Sequence, residues 1–176
     1  MMKLIDITDK YGLETCKYPL EPYLVPETYR GQPKYKFDLC IGCAACSVAC
    51  PPNAISVKAV DTKVVWEFDC GRCIFCARCD EVCPTGAIRL STEYELAAKF
   101  DKSALIQRGE MDMASCAECG KLYSTKRLIS YTLRKLELSN LSEERIKNAK
   151  FYVNLCPECK SKKAILSLET EAKEIL

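Results

Sequence analysis

Cysteine spacing constrains this chain more than any other feature. The run Cys40-x2-Cys43-x2-Cys46-x3-Cys50-Pro51 recurs as Cys73-x2-Cys76-x2-Cys79-x3-Cys83-Pro84. Each run has the ligand spacing of a bacterial [4Fe–4S] cluster. A chain turning tightly through C-x2-C-x2-C sets three sulfurs around one cube and leaves one iron without a protein ligand. In two-cluster ferredoxins the last Cys of each run ligates the other cluster. The expected ligand sets are therefore Cys40, Cys43, Cys46 and Cys83 for the first cluster, and Cys73, Cys76, Cys79 and Cys50 for the second. This crossing ties the two halves into one folding unit. Pro51 and Pro84 lack an N–H and fix φ, which turns the chain away from each cluster.

The runs form an internal repeat with an offset of 33 residues, aligning Cys40-Ile41 with Cys73-Ile74, and Pro51, Ala54 and Ile55 with Pro84, Ala87 and Ile88. Gly42, Ala44, Ala45 and Ala77 leave room for a cube and let backbone N–H groups approach its sulfurs. Ile41, Ile55, Ile74 and Ile88 are expected to form a dry shell, which influences potential. Structural zinc sites or disulfides are the alternative. Zinc sites usually pair two short C-x2-C knuckles and do not use three closely spaced ligands with a C-P. Cys70 breaks the symmetry. Reading the second run from Cys70 would demand a ligand at Asp80, so Cys70 is expected to be a free thiol near the cluster.

Fourteen cysteines in 176 residues could mark a secreted disulfide scaffold. The metal-type spacings argue against that. The start, Met1 to Leu13, is charged and has no apolar h-region, so a reducing cytoplasm is expected. There is no histidine, which excludes Rieske ligation, His-ligated haem and zinc held by two cysteines and two histidines. The formal charge of +2 omits the cofactors. Two cubes and one four-thiolate divalent site bring the total to about −4, which is not a nucleic-acid-binding balance. No run of about 18 apolar residues is present, so no membrane span is expected.

The remaining chain reads in order. Residues 1–36 hold a polar start and then four prolines between positions 19 and 33, which suit an extended arm that lies on its own domain or crosses a partner. Cys16 lies outside every motif. Ile55 to Val60 and Val64 to Phe68 read as strands joined by a turn at Asp61-Thr62-Lys63. Trp66, the single tryptophan, is read as core packing. Thr92-x2-Glu95 reads as a capping box opening a helix through Lys99. Asp101 to Ser115 reads as a mixed linker.

A second unit begins at Cys116-Ala117-Glu118-Cys119-Gly120 and closes at Cys156-Pro157-Glu158-Cys159. Cys116, Cys119, Cys156 and Cys159 predict a tetrahedral four-sulfur site suited to zinc or to a single iron. Cys-Pro-x-Cys and Cys119-Gly120 look like rubredoxin knuckles. The long insert and the lack of any other redox signal favour zinc with a folding role. Leu128, Ile129, Leu133 and Leu136 mark one face of a helix from about Thr125 to Leu138. A shorter helix is expected after Ser142, and Phe151-Tyr152-Val153 reads as a strand. The excess of Lys and Arg here reads as a solvated or partner-facing surface.

The expected fold class is α+β. A bacterial two-[4Fe–4S] ferredoxin-like domain (37–100) follows the N-terminal extended arm (1–36). A linker (101–115) leads to a small C-terminal four-cysteine metal-binding α/β unit (116–176) with zinc-ribbon or rubredoxin-like knuckles. The clusters imply storage and passage of single electrons, and no catalytic residues are identified.

Tyr18-Pro19-Leu20-Glu21-Pro22, Tyr29-Arg30-Gly31-Gln32-Pro33, the paired motifs from Cys40 to Cys46 and from Cys73 to Cys76, and Leu90-Ser91-Thr92-Glu93-Tyr94-Glu95-Leu96-Ala97 resemble one family. It is the two-cluster iron–sulfur subunit of membrane-bound group 4 [NiFe] hydrogenases, including formate hydrogenlyase. The corresponding complex I subunit is a more distant relative. The added Cys116/Cys119 and Cys156/Cys159 pairs look like the formate hydrogenlyase and hydrogenase-4 branch. Cys70 departs from the family pattern. The resemblance implies a peripheral subunit on the cytoplasmic side of a membrane complex, membrane-associated only through its partners. Electrons would arrive from a ferredoxin or from a formate- or carbon monoxide-oxidising module. They would leave through the hydrogenase small subunit towards the [NiFe] site of the large subunit, and the Pro-rich arm would wrap partner subunits. Two other classes compete: a free soluble ferredoxin-type carrier, which needs neither arm nor C-terminal unit, and a metal-dependent regulator or nucleic-acid module, for which a basic stripe is lacking.

Overall fold

The computed structural model describes residues 2–12 and 16–175, so both ends of the charged Met1–Leu13 start lie outside the described residues. The chain begins with α1 (Met2–Tyr11), closed by Gly12 at φ +71, whose N–H donates to the Thr8 carbonyl. The extended arm thus starts later than expected, because no Pro or Gly interrupts residues 2–11. From Lys17 to Gln32 the chain makes only turns and extended stretches, as the prolines require.

The cysteine runs sit between short strands. In order come β1 (Pro33–Tyr35), α2 (Ala45–Val48), β2 (Ile55–Val60), β3 (Lys63–Asp69), α3 (Arg78–Glu81) and β4 (Ile88–Leu90). β1 pairs with β4, joining Pro33 to Leu90 and Tyr35 to Ile88. β2 pairs with β3, joining Val57 to Trp66 and Ile55 to Phe68. These two ladders are the same ladder under the 33-residue repeat. Backbone geometry repeats with them. Gly42 and Phe75, Ala44 and Ala77, and Asn53 and Gly86 all have positive φ. A Cβ on Gly42 would lie 2.6 Å from Thr125 Cγ2, whereas the equivalent position 75 has space for a phenylalanine.

Residues 106–115 are not a linker. They form β5 (Ile106–Ser115), which pairs antiparallel with β3 from Lys63↔Asp112 to Asp69↔Ile106. Gly109, opposite Trp66, lets the Phe37 ring lie against the strand, since a Cβ there would sit 2.3 Å from that ring. β6 (Leu122–Thr125) pairs with β5, giving the sheet order β2-β3-β5-β6 among the described residues. The metal-binding unit is therefore an extension of the ferredoxin sheet. α4 (Lys126–Glu137), α5 (Glu143–Val153) and α6 (Pro157–Ile175) complete it.

Two further expectations are corrected. Residues 91–98 form no helix. Glu93 pairs with Lys34, the Tyr94 hydroxyl accepts from the Tyr23 N–H at 2.7 Å, and Glu95 accepts from the Tyr18 hydroxyl. The N–H groups of Gly31 and Gln32 donate to the Ser91 and Glu93 carbonyls. The segment stays extended because it pins the arm. Phe151-Tyr152-Val153 forms the last turn of α5, where Lys163 lies over the Phe151 ring and the Tyr123 hydroxyl donates to the Val153 carbonyl at 2.6 Å. Three residues of strand propensity do not outweigh a helix already running from Glu143. The strands expected at 55–60 and 64–68, the turn at Asp61 and the helix from Thr125 are present.

Trp66, Phe68, Ile88, Ala54, Ile55, Ala87 and Met111 form the main core, with Trp66 1% exposed and stacked on Tyr35 at 3.7 Å and 8°. Leu155 anchors a smaller cluster with Cys116, Cys156 and Cys159.

Candidate metal centres

The tight C-x2-C-x2-C turns bend the chain around two recesses. One is lined by Cys40, Cys43, Cys46 and Cys83. The other is lined by Cys73, Cys76, Cys79 and Cys50. Each recess thus takes three cysteines from one run and the last cysteine of the other. Backbone donors follow the same symmetry. In the first recess Gly42 N–H donates to Cys40 Sγ at 3.4 Å and Ala87 N–H to Cys83 Sγ at 3.2 Å. In the second, Phe75 N–H donates to Cys73 Sγ at 3.3 Å and Ala54 N–H to Cys50 Sγ at 3.2 Å.

None of the fourteen cysteines is paired in a disulfide. The walls are largely apolar, and three of the thiols resist ionisation. Burial raises the pKa of Cys46 and of Cys73, and pushes Cys79 up to about 12. Burial also opposes ionisation of Cys83, but N–H groups of Ile88, Thr85 and Ala87, with the Thr85 hydroxyl, outweigh it and lower that pKa. Four thiolates facing one small void need a cationic core to bind, and an iron–sulfur cube fits that donor set.

Cys70 is buried 4% exposed in the core, and burial raises its pKa, as befits a packed neutral thiol. The repeat aligns it with Phe37, and both begin single 3₁₀ turns ahead of the first ligand of a run. Cys16 is exposed and lies apart from both recesses.

The C-terminal thiols converge far more tightly. Among the described residues, Cys116, Cys119, Cys156 and Cys159 are the one group of potential metal ligands whose donor atoms all lie within 4.8 Å of one another. Cys119 Sγ and Cys156 Sγ are 3.7 Å apart. Tetrahedral thiolates at a Zn–S distance of about 2.3 Å would be about 3.8 Å apart, so the set fits a single ion. Cys156 N–H donates to Cys116 Sγ at 3.2 Å, and Cys159 N–H to Cys156 Sγ at 3.4 Å. Hydrogen bonding by the Cys119 N–H, followed by other N–H groups of the knuckles, draws the Cys116 pKa down to about 6. The first knuckle joins β5 to β6. The second opens α6, with Pro157 at the first helical position. The site is thus held by one hairpin and one helix start, and not by the two hairpins of a ribbon.

Two residues at the first recess escaped the sequence reading as site residues. Trp66 is core, as expected, but it also lines the recess, and so does Tyr35. Extending the repeat upstream would have flagged them, since it aligns Tyr35 with Phe68 and Pro33 with Trp66. Thr125 and Arg127 were also missed. Thr125 donates to the Ile41 carbonyl, and Arg127 donates to the Phe37 carbonyl at 2.6 Å and stacks over the Phe37 ring. No helix among the described residues is long and apolar enough to cross a membrane.

The family model described as "4Fe-4S dicluster domain" matches residues 39–87, which span both runs. Formate hydrogenlyase subunit 6 of Escherichia coli is 41% identical over 168 residues, covering 94% of this chain and 92% of the relative. NADH-quinone oxidoreductase subunit I 1 of Koribacter versatilis is 35% identical over 134 residues, covering 67% of this chain and 88% of the relative. Among solved structures, a chain of the archaeal membrane-bound sulfane sulfur reductase is 33% identical, covers 55% of each chain and gives a TM-score of 0.44. The shared stretch with the first relative takes in the arm, both runs and the C-terminal knuckles, and on that ground the chain belongs to the iron–sulfur subunit family of formate hydrogenlyase subunit 6.

Proposed function

We propose that this chain is an electron-relay subunit of a hydrogenase-type complex related to complex I. The observation that carries this reading is the pair of recesses, each lined by four cysteines drawn from both runs. In this reading Cys40, Cys43, Cys46 and Cys83 hold one [4Fe–4S] cluster, and Cys73, Cys76, Cys79 and Cys50 hold the other. Bound cubes supply one-electron chemistry. The chain's own residues supply the thiolates, the N–H donors to sulfur and the apolar walls that exclude water.

The donor is a ferredoxin or a formate- or carbon monoxide-oxidising module, and the acceptor is the small subunit of a [NiFe] hydrogenase. The chain sits peripherally on the cytoplasmic side, held to the membrane through its partners. The arm supports this reading. Tyr18, Tyr23 and Tyr29 fasten it to Tyr94 and Glu95, while Leu20 and Leu24 stay 90% and 92% exposed. An arm pinned on one side with leucines outward suits a neighbouring subunit better than open solvent. Cys116, Cys119, Cys156 and Cys159 hold zinc with a structural role, since the site is closed by four thiols and lies apart from both recesses.

Anaerobic purification of the tagged chain from its native cells tests the reading. Hydrogenase large and small subunits should co-purify with it. A small monomer carrying both clusters and no partners would instead make it a free carrier.

A further inference from the structure

The two recesses are alike in their sulfurs and backbone donors but not in their walls. The repeat pairs Tyr35 of the first recess with Phe68 of the second, Trp66 with Pro33, and Thr85 with Pro52, and all six residues line their recess. At each of these pairs the first recess has an O–H or N–H group where the second has none. Among the described residues, the Tyr35 hydroxyl and the Trp66 indole nitrogen are the two buried side-chain polar atoms without a hydrogen-bond partner. A buried donor left unpaired costs the folded chain stability, so two of them on one wall need an explanation. Both atoms belong to side chains that line the recess of Cys40, Cys43, Cys46 and Cys83. The Thr85 hydroxyl lies 3.7 Å from Cys83 Sγ. All three groups therefore stand on the wall around the same four sulfurs.

We propose that Trp66 and Tyr35, with Thr85, are hydrogen-bond donors to the sulfurs of the first cluster and hold its reduction potential above that of the second. The inference rests on the electron-relay reading above. Reduction adds one electron to a cluster that is already anionic, and donors aimed at its sulfurs stabilise the added charge. The second recess, walled by Phe68, Pro33 and Pro52, lacks that help. An electron on this chain therefore settles at the cluster of Cys40, Cys43, Cys46 and Cys83, and the second cluster is the low-potential partner. Tyr35 and Trp66 also brace each other by stacking, which fixes the direction of both donors.

The test is a redox titration of the full cluster-loaded chain followed by electron paramagnetic resonance. Wild type should show two unequal potentials. Trp66→Phe and Tyr35→Phe together should disfavour reduction of the higher-potential cluster about tenfold, which is about 59 mV for a one-electron couple. The lower potential should not move. Because Trp66→Phe could loosen the core, the reciprocal variant Phe68→Tyr serves as a second arm. It adds a hydroxyl to the second recess and should raise the lower potential alone. Loss of an exchangeable-proton coupling at one cluster in the double variant would support direct donation. Equal potentials in wild type, no shift in either variant, or an equal shift of both clusters in the double variant would overturn the proposal. If iron analysis finds no pair of cubes, the relay reading itself has failed, which is a different result from two cubes whose potentials ignore these residues.

Discussion

Thr125, the N-cap of α4, donates its hydroxyl hydrogen to the carbonyl of Ile41, inside the first cysteine run. The same oxygen accepts from the Leu128 N–H at 3.1 Å, so one buried side chain caps a helix and fastens it to a cluster loop. Thr125→Val keeps the shape and removes both bonds. A lost cap and an orphaned buried carbonyl together predict destabilisation by about 2 kcal/mol, read as a lowered denaturant midpoint. Thr125→Ser should recover most of it. Equal midpoints for valine and wild type would show that this link is not needed.

Cys50 belongs to the first run by sequence but lines the recess of Cys73, Cys76 and Cys79. Cys50→Ala should therefore damage the second cluster and leave the first in place. Cys70→Ser should leave both, because Cys70 packs in the core where the repeat has Phe37. Spectra in which Cys50→Ala removes only the cluster of Cys40, Cys43 and Cys46 would reject the crossed ligation.

The C-terminal site should release about one metal ion per chain in Cys156→Ser, with unfolding of the helices around it. β5 alters where that loss reaches. Residues 106–112 are bonded to β3, and the Met113 N–H to the Thr62 carbonyl, so protease cuts in the variant should begin after Met113 and not at Asp101. Both cluster signals should persist. Cuts throughout 101–115 would mean that β5 depends on the metal, and a third [4Fe–4S] signal lost in the variant would make the site part of the relay.

Retention of that metal should depend on pH in one direction. Cys116 is drawn down to about 6 by N–H groups of the knuckles, that of Cys119 foremost. A thiol whose folded pKa lies below its unfolded value favours the folded chain above the unfolded value and loses that advantage as pH falls through the folded one. Protons compete with the metal for its thiolates, so retention should fall on acidification and not on alkalinisation, as a chromogenic chelator would show. Release that grows as the pH rises would contradict this.

The cluster recesses were legible in the sequence because their signal is local: four ligands within eleven residues, twice, with one repeat offset. β5 was not read, although Arg108, Glu110 and Asp112 alternate outward with Gln107, Met111 and Met113 turned in. Gly109 hid the pattern, and only the Phe37 ring lying on it explains the glycine. Thr92-x2-Glu95 has the letters of a helix cap, but its glutamates and tyrosine hold an arm about 70 residues upstream, a demand that no local window contains. The donors at the first recess were hidden for a related reason. A tryptophan in a strand reads as core, and that its N–H lacks a partner is visible only in three dimensions.

That this chain carries two cubes is tested most directly by iron and sulfide analysis with electron paramagnetic resonance on anaerobically prepared protein. About eight irons and eight sulfides per chain are expected in the two clusters, and in the reduced protein two [4Fe–4S] signals that interact magnetically. Protein that holds only zinc at these cysteines, or a single cluster signal with about four irons, would contradict it.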